Sequence, residues 1–298
     1  MNDTREQFAV TAMDLVDASP DTVIVYAEIS GQYWGAAQHR HPDRVINVGI
    51  REQLMVNVGA GLALSGMFPI VHTFAPFLVE RAYEQVKLGI SHQDVDGILV
   101  SAAASVDMAT SGRTHQTGAD VALMAALPGF AVHVPGTADE VDDLIRTGHA
   151  VRGRHYVRVT AHQNSRSFDV ADGRLHRVHG GGSSLVAIAV GPVLEATEEL
   201  DATVLYTATV RPFDAAGLRA VLGDESPDVV LVEPYLAGTS AHDVSAALAH
   251  RPHRLLSLGF GVEEVRRYGT VEHHLARAGL DAAGIGASIR GWRTAGAA

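Results

Sequence analysis

Three kinds of side chain in this sequence stand where they could do chemistry together. A carboxylate, Glu52, follows the turn Val48-Gly49-Ile50-Arg51 at the exit of an apolar run. Two aromatic rings, Phe74 and Phe77, lie three residues apart after a second apolar run, Phe68 to Thr73. An imidazole, His115, sits in the polar stretch Ser111 to Gln116, behind a third run, Gly97 to Ala104. If these runs are parallel strands, their carboxyl ends share one side of a sheet, where open α/β sheets bind ligands. A glutamate there can hold or move a proton, a histidine can donate or accept near neutral pH, and two rings can wall a slot for a flat ligand. Taken singly, each residue also has a plainer reading: a glutamate favoured by the helix dipole, core phenylalanines, a solvated loop histidine.

The elements that must position these residues follow from hydrophobic period and breakers. Thr4 with Gln7 at the capping-box position predicts a helix start, with Phe8, Ala12, Leu15 and Val16 on its apolar face. A strand is predicted at 22–26, then a polar, His-rich loop from Gly31 to Arg44. His39 and His41 in that loop lack further ligands at a metal-site spacing. Strand 44–48, helix 52–64, strand 68–73, helix 77–90 and strand 97–104 come next, followed by the loop bearing His115. Helix 118–126, strand 130–134, helix 138–148 and strand 156–160 complete a first unit. Residues 161–184 carry few aliphatics and three consecutive glycines, and hold the expected linker. A second alternation runs through strand 185–190, helix 193–200, strand 203–207, helix 214–222, strand 228–232, helix 240–249 and strand 254–258, with a helical tail from Val262. The expected fold is α/β with two domains, residues 1–165 and 185–298, and a linker at 166–184.

Composition narrows the function classes. The 298 residues are 47% hydrophobic and 19% charged, enough to build sizeable cores. A net charge of -11 argues against nucleic-acid binding, whose footprint is basic. With no cysteine, disulfides and thiolate metal sites are excluded. The opening residues MNDTREQFAV carry neither a basic n-region nor an apolar h-region, and no run approaches the roughly 20 apolar residues of a membrane span. A cytoplasmic globular protein is the resulting expectation. Gly59-Ala60-Gly61 lacks the full spacing and the strand-to-helix placement of a dinucleotide fingerprint.

The wording of the chemical stretch goes further. Asn47-x-Gly49-Ile50-x-Glu52-x-x-Met55, then Gly61-Leu-Ala-Leu-x-Gly66-x-x-Pro69, then Thr73-Phe74-x-x-Phe77, resembles the pyrimidine-binding domain of transketolases, which use thiamin diphosphate. Gly112-Arg113-Thr114-His115-Gln116 is similar to the family's G-x-T-H-Q box. The match covers about residues 5–165, and the remainder resembles the family's C-terminal domain, to which an assembly role is assigned. The resemblance implies that Glu52 is the glutamate bonded to the aminopyrimidine ring nitrogen, buried so that its protonated form is favoured. It implies that Phe77 stacks on the pyrimidine with Phe74 along the same wall, and that His115 holds the substrate carbonyl and hydroxyl. Arg81, four residues beyond Phe77, is expected to anchor that wall or a dimer contact. Glu28 stands where relatives carry an acid near the cofactor, and Arg5 matches an N-terminal arginine of the substrate-phosphate site.

The sequence also departs from the family pattern. Ser111 replaces an aspartate that contacts a substrate hydroxyl, Ala103 a phosphate-contacting histidine, and His162 the arginine of the S-R-Q-N pattern. Losing two cationic contacts predicts an altered phosphate or acceptor site, with Arg113 a partial replacement. No G-D-G motif for diphosphate and magnesium is present; Gly223-Asp224-Glu225 is not one. The resemblance then implies a two-component enzyme. A separate N-terminal-type transketolase subunit would bring the diphosphate and Mg2+ ligands, in an α2β2 assembly. The implied reaction moves a two-carbon ketol or acyl unit from a ketose or 2-oxo acid to an aldehyde. The alternatives are a deoxyxylulose-phosphate-synthase-like or 2-oxo-acid decarboxylating subunit, against which the T-F-x-x-F spacing and G-x-T-H-Q box speak, and a non-catalytic scaffold.

Overall fold

In the first unit, strands alternate with helices so regularly that their backbones form one sheet. The computed structural model describes residues 3–180, 184–222 and 226–295. The strands are β1 Thr22–Tyr26, β2 Val45–Asn47, β3 Phe68–Phe74, β4 Gly97–Ala102, β5 Phe130–His133 and β6 Arg154–Arg158. They pair in parallel in the order β5-β6-β4-β3-β1-β2. β1 and β4 are buried along their whole length, as a parallel sheet covered on both faces requires. Side chains alternate between the two covers. Val23 and Val25 join Met55, Val56 and Val71 on one face, while Ile24 joins Phe8, Trp34 and Ile70 on the other.

The second unit forms a sheet of its own from β7 His176–His179, β8 Leu185–Val190, β9 Thr203–Thr207, β11 Asp228–Leu236 and β12 Arg254–Phe260. Its order is β12-β11-β8-β9-β7, parallel except for β7. The strand between, β10 Thr209–Arg211, leaves that sheet and pairs antiparallel with β5, extending the first sheet to seven strands. One apolar cluster runs from Val23 and Val71 through Tyr156 to Val186, Leu205 and Leu231, so both sheets share a core. The chain is α/β with two sheets that are parallel in the main, the expected class.

Several local expectations are corrected. Helix Thr4–Ala18 is capped by Asp3, whose carboxylate accepts the Glu6 N–H at 2.7 Å; Thr4 is inside the helix, its hydroxyl donating to the Thr160 carbonyl. The expected loop 31–44 is largely a helix, Gly31–Arg40. Its polar composition hid a two-residue apolar stripe, Trp34 and Ala37, which is fully buried. Burying a side chain as large as Trp34 contributes about 1.5–3 kcal/mol, enough to hold a helix whose own propensity is weak. His39 is exposed, and His41 bonds Asp17 at 2.6 Å, each away from any cluster of ligands. The predicted helix 77–90 is wound as π turns, Pro76–Arg81 and Val86–Ser91, around a short α turn, Tyr83–Gln85. Helix 193–200 is two 3-10 turns, and the tail is helical only over Val271–Arg277 and Ala282–Ala295. β7 occupies part of the expected linker; residues 181–183 of that linker and the triplet 223–225 lie outside the described residues.

Candidate active site

The carboxyl ends of β1, β3, β4 and β6 face the same way, and the residues just beyond them gather there. Gly49, at φ +70, turns the chain after β2 into the helix Glu52–Leu64. That turn sets Glu52 in the first helical position, 1% exposed. Glu52 Oε2 accepts a hydrogen bond from Arg81 Nη1 at 2.7 Å. The side-chain hydrogen bond of Glu52 among the described residues is to Oε2, leaving Oε1 unengaged. The buried acid is thus paired with a guanidinium that is itself partly open to water.

Arg81 also lies over the Phe77 ring, 4.0 Å from guanidinium carbon to centroid. The i,i+4 relation read from the sequence is therefore a real contact, and it ties the aromatic wall to the carboxylate. Phe74 meets Phe77 edge to face at 6.1 Å, and His115 closes on Phe77 at 5.2 Å and on Phe74 at 6.0 Å. Arg5 lies over the Phe74 ring, 5.4 Å from guanidinium carbon to centroid. Glu52, Arg81, Phe77, Phe74, His115 and Arg5 thus form one connected group, drawn from elements far apart in the chain.

Arg5 is held by a buried chain that sequence reading did not find. His72 Nδ1 faces the Val100 carbonyl at 2.9 Å, so it must donate there. Burial pushes the His72 imidazole down to about 3, keeping it neutral, and Nε2 is then an acceptor for the Ser30 hydroxyl at 2.8 Å. Ser30 Oγ in turn accepts from Arg5 Nε at 2.7 Å. Ser30 sits at φ +62, a left-handed conformation that turns its hydroxyl inward. No residue of this chain is within 20 positions of the next along the sequence, which is why no local motif reveals it.

The remaining expected residues stand outside the group. Glu28, exposed and at φ +64, accepts a hydrogen bond from Asn47 Nδ2 through Oε2 at 3.1 Å. Arg113 forms an ion pair with Glu264 at 2.8 Å and donates to the Gln116 carbonyl at 2.9 Å. Its expected role as a replacement anion ligand therefore competes with two existing partners. Ser111 is half-buried in the loop and makes no side-chain hydrogen bond among the described residues, while His162 is exposed beyond β6. Among the described residues, no group of three or more His, Asp or Glu side chains is placed to hold a metal ion.

The segment before His162 is fixed by Asp107, whose Oδ2 accepts the Ala161 N–H at 2.8 Å. Loss of contact with water on burial raises the Asp107 carboxyl to about 6, against the lowering pull of that N–H and of Arg158. Its unfolded value is near 3.8, so between about 4 and 6 the folded chain binds the proton more tightly than the unfolded chain. Stability from this group is therefore full below about 4 and is lost as pH rises through about 6. Asp107→Asn is expected to be more stable than the parent at pH 7 and to lose that advantage near pH 4, read from urea midpoints. An advantage independent of pH would contradict the assignment.

Comparison with known proteins fits this geometry. The family described as transketolase, pyrimidine binding domain, matches residues 1–165. An uncharacterized 33.6 kDa protein in the fasciation locus of Rhodococcoides fascians is 46% identical over 288 residues, covering 95% of this chain and 92% of that protein. The 1-deoxy-D-xylulose-5-phosphate synthase of Thioalkalivibrio sulfidiphilus (strain HL-EbGR7) is 31% identical over 93% of this chain, which spans only 45% of that enzyme's length. Among solved structures, a split-gene transketolase in an inactive β4 tetramer superposes with a TM-score of 0.79 at 24% identity, over 96% of each chain. Members of this family use thiamin diphosphate with a divalent metal. With its first 165 residues matching the pyrimidine-binding domain and its relatives aligned along nearly all the rest, the chain belongs to the transketolase family.

Proposed function

We propose that this chain is the pyrimidine-binding subunit of a two-component, thiamin-diphosphate-dependent transferase that moves a two-carbon unit onto an aldehyde. One observation carries the reading: a buried carboxyl with one unengaged oxygen, Glu52 Oε1, beside a wall of Phe77, Phe74 and His115. That combination of a carboxyl and apolar rings fits an aminopyrimidine. When bound, thiamin diphosphate supplies the nucleophilic carbon that accepts and releases the two-carbon unit. Glu52 would hold and exchange a proton at the pyrimidine ring nitrogen, with Arg81 steadying its second oxygen. Phe77 and Phe74 would orient the ring and exclude water. His115 would bond the substrate carbonyl or hydroxyl, and Arg5, braced through Ser30 and His72, would meet an anionic end of the substrate.

The diphosphate and Mg2+ ligands are assigned to a separate subunit, in an α2β2 complex; the likeness to a split-gene chain supports this. That relative is inactive as a tetramer of β chains alone, in keeping with dependence on a partner. With Ala103, Ser111 and His162 replacing the family's phosphate and hydroxyl contacts, the acceptor is not handled as an ordinary pentose phosphate.

A second reading concerns the donor, and the sequence relatives favour it. Several 1-deoxy-D-xylulose-5-phosphate synthases align over 86–93% of the chain at 28–31% identity. They support an acyl unit released from a 2-oxo acid in place of a ketol unit. The assembled enzyme, supplied in turn with pyruvate and with a ketose phosphate over a panel of aldehydes, separates the two. Carbon dioxide release with pyruvate alone selects the acyl reading, and ketose consumption alone selects the ketol reading. Turnover of neither donor, with cofactor bound, would overturn the transferase assignment in favour of the scaffold.

A further inference from the structure

The loop that carries His115, residues 105–118, is fastened at both feet to the second unit. At its start the Ser105 hydroxyl donates to the Pro234 carbonyl. At its end the Gly118 carbonyl accepts the Leu236 N–H at 2.7 Å. Both partners belong to the last residues of β11.

Between the feet, His115 closes a single 3-10 turn, Arg113–His115. Its N–H donates to the Gly112 carbonyl at 3.0 Å, and the Gln116 N–H donates to the Arg113 carbonyl at 3.3 Å. So short a turn, with poor hydrogen-bond geometry, has little stability of its own. Arg113 and Thr114 are exposed, so burial of the turn adds little.

The segment 261–270, which joins β12 to the helix Val271–Arg277, meets this turn at two points. At the entry, the Tyr268 ring lies so close to Gly112 that a Cβ there would stand 2.7 Å from the ring edge. Gly112 is also at φ +70, a conformation that glycine adopts without strain. Its carbonyl is the one that accepts the His115 N–H. At the exit, Glu264 pairs with Arg113 Nε at 2.8 Å, and Arg113 Nη1 donates to the Gln116 carbonyl at 2.9 Å. The guanidinium thus carries the hold of Glu264 across the turn to the residue after His115. Since His115 meets Phe77 at 5.2 Å and Phe74 at 6.0 Å, the seat of the turn decides how the imidazole meets the aromatic wall.

We propose that Tyr268 and Glu264 are positioning residues of the site: the segment 261–270 of the second unit sets the turn that places His115 against the Phe77 wall. The second unit then does more than assemble subunits. Its effect on turnover rests on the role given to His115 above; the hold itself is a property of this chain alone.

Hydrogen exchange of the full chain, read amide by amide by NMR, tests the hold. Tyr268 is 74% exposed and the Glu264 side chain 51%, so truncating both is expected to leave the melting temperature unchanged. Tyr268→Ala combined with Glu264→Ala is expected to speed exchange of the His115 and Gln116 amides about tenfold. The Thr117 amide, bonded to the Ser105 carbonyl at 3.1 Å at the foot of the loop, is expected to keep its rate. Tyr268→Phe, which keeps the ring, is expected to keep the parent rates throughout. Unchanged exchange at His115 and Gln116 in the double variant, or an equal rise at Thr117, would overturn the proposal. In the assembled enzyme the double variant is expected to lower kcat about tenfold with cofactor affinity unchanged, and Tyr268→Phe to keep the parent kcat. His115→Ala separates the two claims. If it leaves turnover at the parent level, the role of His115 fails while the hold stands on the exchange rates. If it abolishes turnover and the double variant does not lower kcat, the positioning role fails.

Discussion

Glu52→Gln is expected to lower kcat of the assembled enzyme by about 10²–10⁴-fold while the chain stays folded. The substitution keeps the size of the side chain and an oxygen that can still accept from Arg81, now 2.7 Å away. What it removes is a group able to take or give a proton at Oε1, the oxygen that Arg81 does not engage. Loss of charge in the pair with Arg81 is expected to change stability by about 1–3 kcal/mol at most, because Arg81 is partly open to water and can be solvated. Cofactor affinity and melting temperature, measured beside kcat, separate a catalytic loss from a folding loss. Unchanged turnover in Glu52→Gln would remove the residue from the mechanism.

The largest expected effect on stability belongs to Asp120. Its Oδ2 accepts from Arg158 Nε at 2.8 Å and from the Tyr156 hydroxyl at 2.7 Å, and neither member of the ion pair is exposed. Arg158 reaches on to Ser105 Oγ at 2.5 Å and to the Pro234 carbonyl at 3.3 Å, which links the start of the His115 loop to β11 of the second sheet. Asp120→Ala leaves a guanidinium and a phenol buried without their acceptor, and is expected to lower the unfolding free energy by about 3–5 kcal/mol. That is a large fraction of the roughly 5–15 kcal/mol typical of a domain. Replacing both partners, Asp120→Leu with Arg158→Met, is expected to recover most of the loss. Urea unfolding of the parent, single and double variants checks the sign and the recovery; a loss under about 1 kcal/mol in the single variant would contradict the role given to the pair.

Strand and helix order in the first unit was legible because its parallel strands are short apolar runs bounded by turn residues, and the Glu52 and Phe77 positions follow from that order. The helix Gly31–Arg40 was not, since only Trp34 and Ala37 of its ten residues are buried and the rest reads as loop. β10 was missed for a different reason. Thr209–Arg211 is three residues long and pairs with β5, some 76 positions earlier at Thr209 and His133, a contact that no local pattern encodes. The site divides in the same way. The aromatic wall and its histidine came from local motifs, whereas the Arg81 bond to Glu52 and the brace from Val100 through His72 and Ser30 to Arg5 join residues distant in sequence. Motifs place single side chains at strand ends; which of them touch is decided by the packing of the sheet.

The central claim is that this chain contributes the pyrimidine half of a cofactor site completed by another subunit. A calorimetric titration of thiamin diphosphate with Mg2+ into the full chain, alone and then with the candidate partner subunit, tests it most directly. The account predicts no saturable binding by the chain alone, and tight, Mg2+-dependent binding once the partner is present. Tight binding of the complete cofactor by this chain alone, or no binding by the assembled pair, would contradict it.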